Sequence, residues 1–149
     1  MAYVSARIGR IIAIRWRSFE VGDLERARTE IAKLRWASAE PLIYLSLIPA
    51  DTRTFTKDER ERLLAFVTDL FSDCESVHHV IDGDGFVSSA RRSIVTNLAL
   101  ATARPSAFHT YATLEEAMTS ISRFVSIPAA DLLREATEKG VAFRRRVQS

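Results

Sequence analysis

Seven residues in the first half of the chain constrain its fold most. Leu42-Ile43-Tyr44-Leu45-Ser46-Leu47-Ile48 is apolar almost without interruption and follows Pro41. A strand with one face in water alternates polar and apolar residues, whereas a strand buried on both faces reads as a continuous apolar run. This segment therefore belongs at the centre of a sheet. It is not a membrane span, because the longest uncharged apolar stretch, residues 41–50, is about half of the roughly 18–20 residues that a bilayer requires.

The flanking segments supply the rest of the sheet and its helices. Residues 3–8 and 11–17 are β-prone runs joined at Gly9-Arg10, where glycine permits a tight turn. Asp23 is suited to cap a helix through about Trp36, with Leu24, Ala27, Ile31 and Leu34 on one face. Thr56 and Glu59 have the spacing of a capping box and open a helix to about Phe71, with Leu63, Phe66, Val67 and Leu70 inward. Residues 76–81 read as a strand and Asp82-Gly83-Asp84-Gly85 as a loop. Residues 86–103 then form a helix with Val87, Ala90, Ile94, Val95 and Leu98 inward, closed by Pro105. Residues 107–111 give the last strand. Thr113 and Glu116 repeat the capping pattern for a helix carrying Leu114, Ala117, Met118, Ile121 and Phe124. A final short helix spans about residues 128–139, between Pro128 and Gly140.

The resulting order, ββαβαβαβα plus one helix, implies an α/β fold with a mainly parallel sheet, right-handed crossovers and an antiparallel N-terminal hairpin. With 149 residues, 47% hydrophobic and 27% charged, the chain has material for one domain. Over residues 3–125 this order resembles the STAS domain, the fold of the anti-sigma-factor antagonists, and more closely its SpoIIAA-like relatives. Element order and length carry the resemblance, not a signature motif. It implies helices chiefly on one face of the sheet and a bacterial regulatory role exercised through protein–protein contact. Residues 126–149 then form an added C-terminal helix and basic tail.

The resemblance also implies a place for a phosphosite. In the antagonists a serine or threonine at the start of the helix after the third strand is phosphorylated, within a pattern of Asp, Ser, Ser or Thr, then Gly. The corresponding stretch here is Asp51-Thr52-Arg53-Thr54-Phe55-Thr56-Lys57, with Thr54 and Thr56 as the candidates but no Asp-Ser pair and no glycine. A helix start suits a phosphate because its free N–H groups and dipole favour negative charge. Thr56 nevertheless has a complete structural explanation as a cap.

Few residues offer chemistry of their own. Asp82-Gly83-Asp84-Gly85 copies the nucleophile loop of haloacid-dehalogenase-like phosphatases, but Phe86 stands where a threonine belongs and no lysine occurs between Lys57 and Lys139. The loop also fails as a calcium site, because Phe86 replaces an oxygen ligand and Ser93 the closing glutamate. His78 and His79 are consecutive on a strand, so they face opposite sides and cannot share a metal; His109 lies on another strand. Cys74 excludes an internal disulfide, and its neighbours Asp73 and Glu75 raise a thiol pKa. There is no Gly-x-Ser-x-Gly elbow, phosphate-binding loop or dinucleotide fingerprint, and neither a cofactor nor a metal is expected.

With 21 basic and 19 acidic residues and a net charge of +2, the chain has no general attraction for nucleic acid, and Arg144-Arg145-Arg146 is too short a run to supply one. Nucleic-acid and membrane partners are not expected. The lone cysteine and the absence of a secretory pattern point to the cytoplasm. The favoured expectation is a non-catalytic regulatory or adaptor module that binds a protein partner or a second copy. Leu132, Leu133, Val141 and Phe143 are candidates for that surface or for packing on the chain's own sheet. The alternative is a small-ligand binder, or a phosphate- or metal-dependent enzyme, at the carboxyl-end rim of the strands. Asp51, Asp82 and Asp84 would line that rim, with Arg91 and Arg92 offsetting a phosphate.

Overall fold

The computed structural model describes residues 3–17, 20–49, 56–83, 86–100, 102 and 104–143. Strands β1 (Tyr3–Ile8) and β2 (Ile11–Trp16) form the antiparallel hairpin, with Ile8 opposite Ile11 and Gly9 at a φ of +58° in the turn. Left-handed backbone of this kind carries no steric cost at glycine. Strands β3 (Leu42–Ile48), β4 (Cys74–Ile81) and β5 (Phe108–Tyr111) follow in parallel, so that the sheet order is β1-β2-β3-β4-β5. All seven residues of β3 are buried, and β3 is the middle strand.

Helices α1 (Val21–Trp36), α2 (Lys57–Leu70) and α3 (Phe86–Leu100) connect successive parallel strands. Every connection advances one strand in the same direction, and right-handed crossovers of that kind all lie on one face. Leu24, Ala27 and Ile31 of α1, Leu63, Phe66, Val67 and Leu70 of α2, and Val95 of α3 accordingly share one core with Trp16, Tyr44 and Ile81 of the sheet.

The opposite face is equally apolar and is covered by α4 (Leu114–Val125) and α5 (Ala129–Glu138). Leu114, Ala117, Met118 and Ile121 of α4, with Leu132 and Ala136 of α5, bury Ile43, Leu45 and Leu47 of β3 and Val80 of β4. The expectation of helices chiefly on one face is corrected: three helices cover one side and two the other. The reason is the β3 sequence itself. Ile43, Leu45 and Leu47 all present apolar side chains to the second face, and once the crossovers are spent on the first only the C-terminal helices remain to shield it.

The described part of the added C-terminal segment, residues 126–143, is therefore packed into the core. Leu132 and Val141, read as candidate interface residues, are fully buried beneath the chain's own sheet, while Leu133 and Phe143 pack partly buried at the edge of the same core. The chain is steered there by its turns. Ser126 takes a left-handed conformation (φ 55°) to end α4, and Gly140 (φ +79°) ends α5, letting the Val141 and Ala142 N–H groups donate back to Ala136 O at 3.0 and 3.2 Å. Arg15 Nη1 then donates to Ala142 O at 2.8 Å, pinning the segment to β2.

The helix starts follow local chemistry with one correction. Thr56 and Glu59 form the reciprocal capping box, at 3.2 and 3.1 Å. Replacing Thr56 by alanine is expected to lower the urea-unfolding free energy by about 1 kcal/mol, with serine restoring it. Thr113 Oγ1 likewise accepts from Glu116 N–H at 3.2 Å. Asp23, in contrast, is not the cap of α1. The helix begins three residues earlier, at Val21 after Glu20, and Asp23 occupies its first turn, where a carboxylate still complements the helix dipole. Among the described residues no helix is long and apolar enough to cross a membrane.

Candidate functional site

The carboxyl-end rim was one candidate site, and its described residues are occupied with structure. Arg92 Nη1 donates to Ile81 O at 3.0 Å and to Gly83 O at 2.9 Å, while Ser88 Oγ donates to Asp82 O at 3.2 Å. The guanidinium expected to offset a phosphate thus closes the end of β4. Arg91, its neighbour, is buried. The connection after β4 leaves the sheet toward α3 on one face, and that after β5 toward α4 on the other. Asp51, Thr54, Asp84 and the arginine run at residues 144–146 lie outside the described residues.

The histidines divide as strand geometry requires. His78 faces α4, and the β4–β5 register sets it directly against His109, with the rings stacked at 4.8 Å and 13°. Tyr111 continues the stack at 5.8 Å, and Phe124 meets His78 edge-on. Ser76 Oγ lies 2.9 Å from His78 Nε2, His78 Nδ1 lies 3.0 Å from Tyr111 Oη, and Tyr111 Oη donates to Ser120 Oγ at 2.8 Å. With the phenol proton given to Ser120, Tyr111 accepts from His78 Nδ1–H, and Nε2 is left to accept from Ser76.

This serine–histidine order has the connectivity of a nucleophile and its base. Its electrostatics do not suit that work. Burial, and then the neighbouring His109, lowers the His78 pKa to about 3, so the ring is a weak base at neutral pH. The third member is a neutral phenol instead of a carboxylate, and Ser76 is itself buried. The chain of hydrogen bonds ties β4, β5 and α4 together. Sequence reading could not find it, because only the β4–β5 register brings His109 and Tyr111 to His78.

His79 faces the opposite core. It sits at 4.8 Å from the Phe108 ring and 5.9 Å from Tyr44, in an aromatic cluster that continues through Phe66, Trp16 and Tyr3. Burial alone lowers its pKa to about 3. Among the described residues neither of its ring nitrogens has a hydrogen-bond partner. An unmet buried donor or acceptor costs on the order of 1–3 kcal/mol. Cys74 is also buried, and burial with Asp73 beside it pushes its thiol up to about 12, which leaves it unreactive. No group of three or more His, Cys, Asp or Glu residues converges among the described residues.

Among the described residues the large exposed apolar side chains are Trp36 (91% exposed), Leu100 (75%) and Phe124 (43%). Trp36 ends α1, Leu100 ends α3 and Phe124 lies in the last turn of α4. Each of these helices runs back from the carboxyl end of a parallel strand, so all three side chains lie toward the amino-end pole of the sheet. Phe124, carried on the same helix as the buried Leu114, Ala117, Met118 and Ile121, packs against the His78 and His109 rings and leaves the rest of its ring in solvent.

Hydrogen bonds fix the elements around that pole. Arg10, in the β1–β2 turn, donates to Pro41 O at 3.1 Å, Glu75 Oε1 at 2.6 Å and Phe124 O at 2.9 Å. Arg104 donates to Glu75 O at 3.1 Å and lies over the Phe71 ring at 5.5 Å. The sequence contains each of these residues, but no periodicity reports that three helix ends share one pole. Compared with family models, with curated proteins and with solved structures, the chain matches none.

Proposed function

We propose that this protein is a non-catalytic regulatory or adaptor module that binds another protein through the amino-end pole of its sheet. The observation that carries the reading is the placement of Trp36, Leu100 and Phe124 at that pole. Isolated exposed apolar residues are ordinary on any surface. Trp36 and Leu100 end helices on the same face of the sheet, and a tryptophan almost wholly in solvent is the kind of residue that anchors an interface. The reading agrees with the STAS-like order of elements, whose relatives work by contact and not by turnover. The second sheet face is not the contact surface in this reading, because α4 and α5 cover it.

Affinity capture from extracts of the source cell tests it, with the full chain and a Trp36→Glu, Leu100→Glu double variant as paired baits. The expected result is a specific protein held by the first and lost by the second at unchanged thermal stability. Equal capture by both baits excludes the pole. A second reading, a small-ligand site, rests on the opposite exits of the chain after β4 and β5, because open parallel sheets collect ligands where successive connections diverge. It is supported if nucleotides, sugar phosphates or divalent metals give a saturable thermal shift that is lost in Asp82→Asn.

A further inference from the structure

The outer edge of the sheet carries an inference of its own. Strand β1 stands at one end of the strand order and, among the described residues, pairs with β2 alone. The hairpin turns at Gly9-Arg10, and a two-residue turn is closed by a mutually hydrogen-bonded pair, here Ile8 and Ile11. Alternation then aims the backbone groups of Ile8, Ala6 and Val4 at β2 and those of Arg7, Ser5 and Tyr3 outward. Lys139 bears out the direction, since its Nζ donates to Arg7 O, an oxygen that a carbonyl turned toward β2 would not offer. That oxygen keeps a second lone pair. Among the described residues the outward N–H groups of Ser5 and Arg7 have no backbone partner.

The side chains along this edge complement a second copy of themselves. Tyr3 Oη and Ser5 Oγ donate to the carboxylate oxygens of Glu30 in α1, at 2.9 and 3.4 Å, which places that charge beside β1. Arg7 is exposed, shares their face by strand alternation, and commits its Nε to Gly9 O at 2.8 Å. Among the described residues neither Arg7 nor Glu30 has an ion pair. We propose that β1 is a dimerisation edge, on which β1 of a second copy of this chain pairs antiparallel with Ser5 opposite Ser5, continuing the sheet across a two-fold axis. An axis normal to the sheet keeps each face on its own side, so the centre must fall on a residue. Centring on Ser5 sets Arg7 of each copy opposite Tyr3 of the other, beside its Glu30, and lets the Tyr3–Arg7 and Ser5–Ser5 pairs exchange both backbone bonds. Centring on Ala6 leaves Tyr3 unpaired, and centring on Arg7 opposes like charges. On the second face the partly buried Val4 meets Ala6 of the other copy. The edge holds none of Trp36, Leu100 and Phe124, so the inference does not depend on the reading given for them.

Sedimentation equilibrium of the full chain at rising concentration and low ionic strength tests the edge. The expected result is a monomer–dimer equilibrium. Ser5→Pro removes an outward N–H without touching the bonds to β2, and is expected to abolish the dimer. Arg7→Glu and Glu30→Arg are each expected to raise the dissociation constant at least about tenfold, because the two-fold axis counts the charge pair twice. The double variant, which restores opposite charges across the axis, is expected to regain the dimer. Arg7→Glu alters an exposed side chain and decides the question if Ser5→Pro does not fold. A monomer at every concentration up to about 1 mM, or a dimer that persists unchanged in Ser5→Pro and in both single charge variants, would overturn the proposal.

Discussion

Leu132→Asp is expected to leave the chain unfolded, or to lower its urea-unfolding free energy by more than about 4 kcal/mol. Leu132 is wholly buried in α5 against the second face of the sheet. Truncating a leucine in such a site costs about 2–5 kcal/mol through lost burial and the cavity left behind. Aspartate adds the desolvation of an unpaired carboxylate. Domains of this size are stable by only about 5–15 kcal/mol, so the combined loss is a large part of the whole. Leu133→Asp, one residue along and only partly buried, is expected to cost about 1 kcal/mol. Equal, small losses in both variants would show that α5 is not seated as described.

Acidification is expected to destabilise the chain by about 4 kcal/mol between pH 7 and pH 5, because two buried histidines bind protons only after unfolding. His78 and His79 have folded pKa values of about 3 against an ordinary 6.5, through burial in both cases and through His109 beside His78. A histidine whose folded pKa is depressed contributes its full stability above the unfolded value. That stability is lost as the pH falls from about 6.5 toward about 3, at roughly 1.4 kcal/mol per pH unit for each group. His109, half-buried, is shifted in the same direction. Urea titrations at pH 7, 6 and 5 measure the slope, and His79→Phe is expected to remove close to half of it. An unchanged slope in that variant would place the titration elsewhere.

Much of the fold was legible because the chain states it in local patterns. The apolar run at residues 42–48 became β3 with the same bounds, and the Thr56–Glu59 spacing became a capping box. Asp23 misled because its residue type suits a cap, yet the backbone had already turned helical after Glu20, which makes no side-chain cap. The third helix ends at Leu100, short of residue 103, and a short 3-10 turn at Pro105–Ala107 leads into β5.

The second face was misjudged for a different reason. The amphipathic pattern of α5 shows that it must bury one side, but only the exhaustion of crossovers on the other face decides which surface it meets. The candidate sites were less legible still. His78 and His79 were placed on opposite faces from their adjacency alone, as β4 presents them. Their partners depend on strand register, and the exposure of Trp36 and Leu100 depends on where their helices end.

The central claim is that α4 and α5 close the second face of the sheet as part of one cooperative core. Native-state hydrogen exchange tests it most directly, by comparing the amide of Ala136 in α5 with that of Leu45 in β3. The expected result is that both exchange through the same global opening, with equal free energies and equal denaturant dependence. Exchange of Ala136 at the rate of a frayed terminus, while Leu45 stays protected, would contradict the claim.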